Sequence, residues 1–186
     1  MIKVKILLYC TKNGRPLIYT DEYRGGAYWE GYTQTYNRSK EEVSKIWGEE
    51  AILNGRIVAE CECDLVEVIK YASYDCTYYT NTIDTFGLPP LLLQKSCLDH
   101  DALDEYLKED NGHAIYLKNV KVFDEPKELS DYGLKRAPQN MMWVWYKGER
   151  YVLISIKPKW LCKILNGEKT IEVRRKILKG LKDLIK

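Results

Sequence analysis

The residues best equipped for chemistry stand together near the C-terminal end. They are Gly167, Lys169, Glu172 and Arg174, within the run NGEKTIEVRR. In an extended chain Thr170, Glu172 and Arg174 project to one face and Ile171 and Val173 to the other, with Lys169 at the mouth of the preceding turn. A lysine and an arginine can neutralise a phosphate or hold a base edge, and a glutamate can accept hydrogen bonds from an exocyclic amine. Glu172 and Arg174 can also pair with each other, the carboxylate fixing the arginine fork. The plainer reading of the same residues is an amphipathic edge strand whose charges are merely solvated. Lys157 adds a nearby cation, and Trp160, Trp143 and Tyr9 are candidate stacking platforms for a base, or else parts of the core.

These residues need elements to position them. Upstream of the charged run, LISIK reads as a strand and Pro158 suits the first turn of a helix. Trp160, Leu161, Ile164 and Leu165 give that helix an apolar face, and Asn166-Gly167 supplies its stop. Strand, short helix and strand result. Earlier in the chain KVKILLYCTK reads as a strand, followed by the NGRP turn signal at Asn13 to Pro16 and a Gly-, Tyr- and Thr-rich loop containing Gly25-Gly26. A helix is predicted from a Ser39 cap, with Glu42 three residues on and Val43, Ile46 and Trp47 on its apolar face. Residues 56–69 alternate through Ala59, Cys61 and Cys63 as a strand with one wet face. The Tyr- and Thr-rich stretch that follows is broken at Pro89-Pro90. Leu98, Ala102, Leu103, Tyr106 and Leu107 recur at helical spacing up to Asn111-Gly112. HAIYLKNVKVFDEP is a further strand, and RAPQNMMWVWYKGERYVLISIKP reads as two strands joined at Lys147-Gly148. The lysine-rich end, 175–186, has helical spacing. Short strands with few helices favour an α+β barrel or curled sheet over a parallel βαβ sheet.

Composition narrows the function classes. A chain of 186 residues can bury about 70% of the surface it exposes when unfolded, so it needs no metal or disulfide to build a core. Lys and Arg number 29 against 27 Asp and Glu, and a net +2 is too small to steer nucleic acid by global charge. The charge is unevenly placed: from Tyr146 onward 12 Lys or Arg face 4 Asp or Glu, a net +8. No run approaches the length of a membrane span, the N-terminal stretch is too soon polar for a secretory signal, and a cytoplasmic location is expected. Six cysteines without CxxC pairs, and only His100 and His113 beside them, point to reduced thiols and to no metal site. No Ser-His-Asp set or phosphate-cradling glycine loop competes with the charged run.

The stretch SIKPKWLCKILNGEKTIEVRR resembles the signature of ASCH domains, a branch of the PUA-like β-barrels, and Gly167, Lys169, Glu172 and Arg174 fit that family's G-x-K-x-x-E-x-R pattern. KVKILLYCTK, LNGRIVAECECDLVEV, DNGHAIYLKNVKVFDEPKEL and RAPQNMMWV resemble other segments of the same family. The resemblance implies one domain over 1–186, an α+β PUA-like barrel with peripheral helices, a motif block at 151–176 and a basic helical tail at 175–186. In ASCH proteins the motif block normally opens the domain, whereas here it closes it. The order is that of a circular permutation, or of a block belonging to a following copy cut short; in either case the domain could close on its own block or borrow one from another chain as a swapped homodimer.

The implied function is binding of RNA or a nucleoside-like ligand in a cleft. The cleft is framed by Lys169, Thr170, Glu172 and Arg174, with Lys157, Trp160, Tyr9 and Trp143 around it, and with Arg136 and Gln139, which resemble a family loop. No cofactor and no membrane partner are implied. Some ASCH proteins resemble amidohydrolases that deacetylate modified cytidine with a Lys, a Thr and a Glu. Lys169 matches that lysine, a base or nucleophile if burial lowers its pKa, and could form an acid/base pair with Glu172. Glu172 stands where that enzyme type carries its threonine. The same surface could instead serve a ribonuclease or a protein-interaction module.

Overall fold

The computed structural model describes residues 4–11, 18–19, 27–28, 55–80 and 87–181. The expected Asn13–Pro16 turn, the loop around Gly25-Gly26, the helix from Ser39 and the last five residues of the basic tail lie outside them. Strand β1 (Val4–Cys10) is buried at six of its seven positions, which explains its nearly continuous apolar run. Two short strands, β2 (Ile18–Tyr19) and β3 (Ala27–Tyr28), pair with each other. Then follow β4 (Ile57–Ala72), β5 (Thr77–Thr80), α1 (Pro90–Ser96), α2 (His100–Leu107), β6 (Gly112–Lys127), β7 (Met141–Tyr146), β8 (Glu149–Ile156), α3 (Pro158–Leu165) and β9 (Ile171–Arg174). The molecule is α+β: seven strands form one sheet in the order β7-β8-β1-β4-β6-β9, with β5 paired to β4. The path is open from β7 to β9 among the described residues. No helix among them is long and apolar enough to cross a membrane.

Local chemistry explains most of these boundaries. In α1 Pro90 occupies the first turn and Cys97 closes the helix in the left-handed region at φ 57°; the Pro89-Pro90 break is thus the start of a helix. Asp99 caps α2 by accepting a hydrogen bond from the Ala102 amide at 2.8 Å, the usual role of a residue at that position. This helix ends at Lys108, φ 53°, three residues before the expected Asn111-Gly112 stop. At the β7–β8 turn Lys147 and Gly148 have φ of 50° and 77°, the paired positive values of a two-residue hairpin turn. α3 begins at Pro158 and is followed by Gly167 at φ 81°.

The tail differs from expectation. Residues 175–180 are not helical and Leu181 is the first helical residue of that segment; Gly180 at φ 81° separates the two, a conformation that helical spacing of apolar residues does not reveal. The strands also differ from the expected short ones, since β4 and β6 each run for 16 residues.

The chain forms two compact units, the first comprising Met1–Val4, Glu62–Asn119 and Asn166–Lys186, the second Lys5–Cys61 and Val120–Leu165. The first unit packs Ile69, Tyr78, Leu92, Leu103, Leu107, Ala114, Ile171 and Val173 into one apolar cluster. Helices α1 and α2 therefore lie over the apolar face of β9, the face that Ile171 and Val173 were expected to share. The second unit packs Leu7, Tyr9, Ile57, Val144, Tyr151 and Leu153 together. There β8 pairs parallel with β1, from Lys5 opposite Tyr151 to Cys10 opposite Ile156, and antiparallel with β7.

Candidate functional site

The motif residues of the first unit converge. Strand β9 pairs antiparallel with β6 of its own chain, placing Arg174 opposite His113 and Glu172 opposite Ile115. Just before it, the Thr170 amide donates to the Lys95 carbonyl at 2.9 Å and the Thr170 carbonyl accepts from the Leu117 amide at 2.8 Å. Thr170 thus stitches the strand to β6 and to the end of α1. Gly167 turns the chain out of α3, and Asn166 Oδ1 accepts from the Glu168 amide at 3.0 Å, a local turn that aims the next residue.

That next residue is Lys169, whose side chain is only 3% exposed. Its Nζ donates to the Ser96 carbonyl at 2.7 Å and to the Ile171 carbonyl at 2.9 Å, and lies 3.3 Å from Glu172 Oε2. An ammonium has three donors, and three oxygens face it. The Ser96 carbonyl belongs to the last turn of α1, where helical carbonyls lack intrahelical partners and a cation is favoured. Glu172 Oε1 lies 2.8 Å from Arg174 Nε, with the two side chains 8% and 12% exposed. A carboxylate between two cations, nearly out of water, is the geometry in which ion pairs need every partner in place.

The sequence anticipated this convergence but not its burial. The charges are not those of a solvated edge strand. Equally, Lys169 does not hold its ammonium out into solvent, because oxygens of the fold surround it. Arg174 is the most exposed of the three.

The other expected ligand residues belong to the second unit. Tyr9 is 4% exposed within the apolar cluster of Leu7, Ile57 and Leu153, so its ring fills core and offers no stacking face. Burial also raises the pKa of its hydroxyl. Trp160 is half-buried on α3, with Lys159 Nζ 4.6 Å and Lys163 Nζ 5.8 Å from its ring centre. Lys157 is exposed, and its carbonyl accepts from the Trp160 and Leu161 amides to start α3. Arg136 is exposed and Gln139 lies close by in a loop held to β8, where Ser155 Oγ donates to the Pro138 carbonyl at 2.6 Å and the Ser155 amide to the Asn140 carbonyl at 2.9 Å. Trp143 is half-buried, with the Arg150 guanidinium 4.4 Å from its ring centre.

Sequence reasoning missed Ser96, whose own carbonyl meets Lys169 from 73 positions away, and Ser155, which bonds the Pro138 and Asn140 carbonyls, and it missed Arg150. The last had a signal: Trp143 and Trp145 alternate along one strand of a hairpin and Arg150 follows the turn. Among the described residues no group of three or more His, Cys, Asp or Glu side chains is placed to hold a metal. All six cysteines are free thiols, and burial pushes the Cys63 thiol up to about 11 and the Cys10 thiol higher still. That leaves Cys10 a poor nucleophile. Comparisons with protein-family models, with curated proteins and with solved structures give no match to this chain.

Proposed function

We propose that the chain is a PUA-like domain of the ASCH type with its segments in permuted order, and that it binds RNA or a nucleoside-like ligand through the charged cluster on β9. The observation that carries this reading is the buried cluster itself: Lys169 and Arg174 both lie against the carboxylate of Glu172, and Arg174 is the most exposed of the three. Charges in a poorly solvated setting act more strongly on an approaching anion than solvated ones do. Arg174 is the contact residue, its fork suited to a phosphate or to a base edge. Glu172 orients that fork, and Lys169 holds Glu172 against the end of α1. Pairing of β9 with β6 in the same chain supports a domain completed by its own motif block. An amide-hydrolysing role would ask Lys169 for a lone pair, whereas the three oxygens around its Nζ are acceptors that ask it for donors. Binding is therefore the reading adopted.

The test is equilibrium binding of the full chain to short single-stranded RNAs and to nucleosides at low salt. The native protein is expected to bind, and Arg174→Gln to weaken binding about tenfold across sequences, the cost of roughly one charge-assisted contact. Far-ultraviolet circular dichroism establishes that the variant is folded. Absence of RNA and nucleoside binding by the native chain, even at the lowest salt, would sink the proposal.

A further inference from the structure

The β7–β8 hairpin of the second unit carries an arrangement that the charged cluster does not use. Trp143 and Trp145 are two residues apart on β7 and so share a face, and the register places Arg150 directly across from Trp145. The Arg150 guanidinium carbon lies 4.4 Å from the Trp143 ring centre and 6.0 Å from that of Trp145, within the range over which a cation is attracted to an indole face. Trp145 is 69% exposed, and among the described residues of this unit it is the one large hydrophobic side chain so exposed. Lys147 extends from the turn, with Nζ 5.3 Å from the Tyr146 ring centre. The carboxylate nearest the turn, Glu149, is already engaged: it accepts from Lys5 Nζ at 2.6 Å and from the Tyr151 hydroxyl at 2.9 Å. On the Trp143–Trp145 face the hairpin end thus shows an exposed indole beside one cation, Arg150, while Tyr146 and Glu149 lie on the opposite face.

We infer that this hairpin is a binding surface for single-stranded nucleic acid, one base stacking on the Trp145 indole while a neighbouring phosphate meets Arg150. Stacking on exposed aromatic rings combined with cations for the backbone is how single strands are held without sequence readout. A lipid surface or a protein groove would ask for a broader apolar patch than one exposed tryptophan beside a guanidinium. The inference deepens the nucleic-acid reading by naming single strands as the ligand class, but it rests on other residues than those of β9.

The experiment titrates the full chain with a short oligouridylate and follows tryptophan fluorescence and anisotropy over a range of salt. Trp145→Leu, which keeps apolar area but removes the ring, is expected to weaken binding at least about fivefold, whereas Trp145→Tyr keeps most of the affinity. Arg150→Gln is expected to weaken binding and to lower the slope of log affinity against log salt by about one. If the native chain binds, Arg174→Gln weakens it and the hairpin variants do not, the hairpin inference fails and the β9 reading stands. If the hairpin variants weaken binding and Arg174→Gln does not, the reverse holds. Binding to phosphatidylserine vesicles that depends on Trp145, without binding to the oligonucleotide, would overturn the inference in favour of a lipid surface.

Discussion

The β9 cluster and the β7–β8 hairpin each combine cations with a partner that holds them, yet they use the charge in opposite ways. On β9 the partner is a carboxylate and two backbone carbonyls, and the Lys169 side chain is 3% exposed. On the hairpin the partner is an aromatic face, and Trp145 is 69% exposed. A buried ammonium must have its donors met or the fold loses stability, so its charge serves the fold first. A guanidinium resting on an indole keeps its edge donors in water, so its charge remains available to a ligand. Membership of the charged cluster and exposure to solvent are therefore separate properties of a residue, and in β9 Arg174 is the more exposed of the two charged side chains.

The strongest test of this contrast is thermodynamic. Lys169→Met leaves Glu172 with a buried charge missing one partner and strips the Ser96 carbonyl of its donor, so urea unfolding should show a loss of about 3–5 kcal/mol. Trp145→Ala, by contrast, should stay within about 0.5 kcal/mol of the native chain, as surface substitutions do. Equal effects would break the distinction drawn between the two regions.

A smaller effect sharpens the account of the first unit. Gly112 begins β6 hard against α2: a Cβ there would come within 2.7 Å of Leu107 Cδ2 and 3.5 Å of the Arg174 carbonyl. Because Leu107 is fully buried, Gly112→Ala must displace it, at a cost of about 1–3 kcal/mol, measurable as a lower urea midpoint. An unchanged midpoint would show that Leu107 yields freely.

The smallest effect concerns pH. Burial raises the Cys63 thiol from 9.0 to about 11. A raised native pKa means that the unfolded chain gives up its proton first. Stability is therefore complete below pH 9 and declines as pH climbs towards 11, by at most roughly 1.4 kcal/mol per pH unit for one thiol. Cys63→Ala should flatten that part of the stability profile; an identical slope in the variant would assign the decline to other groups, the tyrosines Tyr9 and Tyr116 among them, whose hydroxyls are shifted the same way.

Much of the architecture was legible because its causes are local. Pro158 at the head of α3, Lys147-Gly148 in the hairpin turn and the alternation through Ala59, Cys61 and Cys63 each act over a few residues, and each reappears in the structure. The pairing of Glu172 with Arg174 was legible for the same reason, since a strand puts alternate residues on one face; Lys169 precedes the strand and reaches Glu172 from the turn. The tail departs from its helical spacing because apolar periodicity alone does not register the left-handed backbone at Gly180.

By itself, then, the amino-acid order determined the types of β1, β4, β7, β8, α2, α3 and β9, the turn and helix ends at Lys147-Gly148 and Pro158, and the side of β9 on which Glu172 and Arg174 sit, all consequences of backbone sterics and short-range hydrogen bonding. Tertiary structure decided what those residues are for. It brought the Ser96 carbonyl to Lys169 across 73 positions of chain, turned Tyr9 into core, and made Gly112 necessary through the closeness of Leu107 rather than through a turn. The physical reason is that burial and partner choice depend on which distant surfaces meet, and side-chain spacing along one segment carries no record of that meeting.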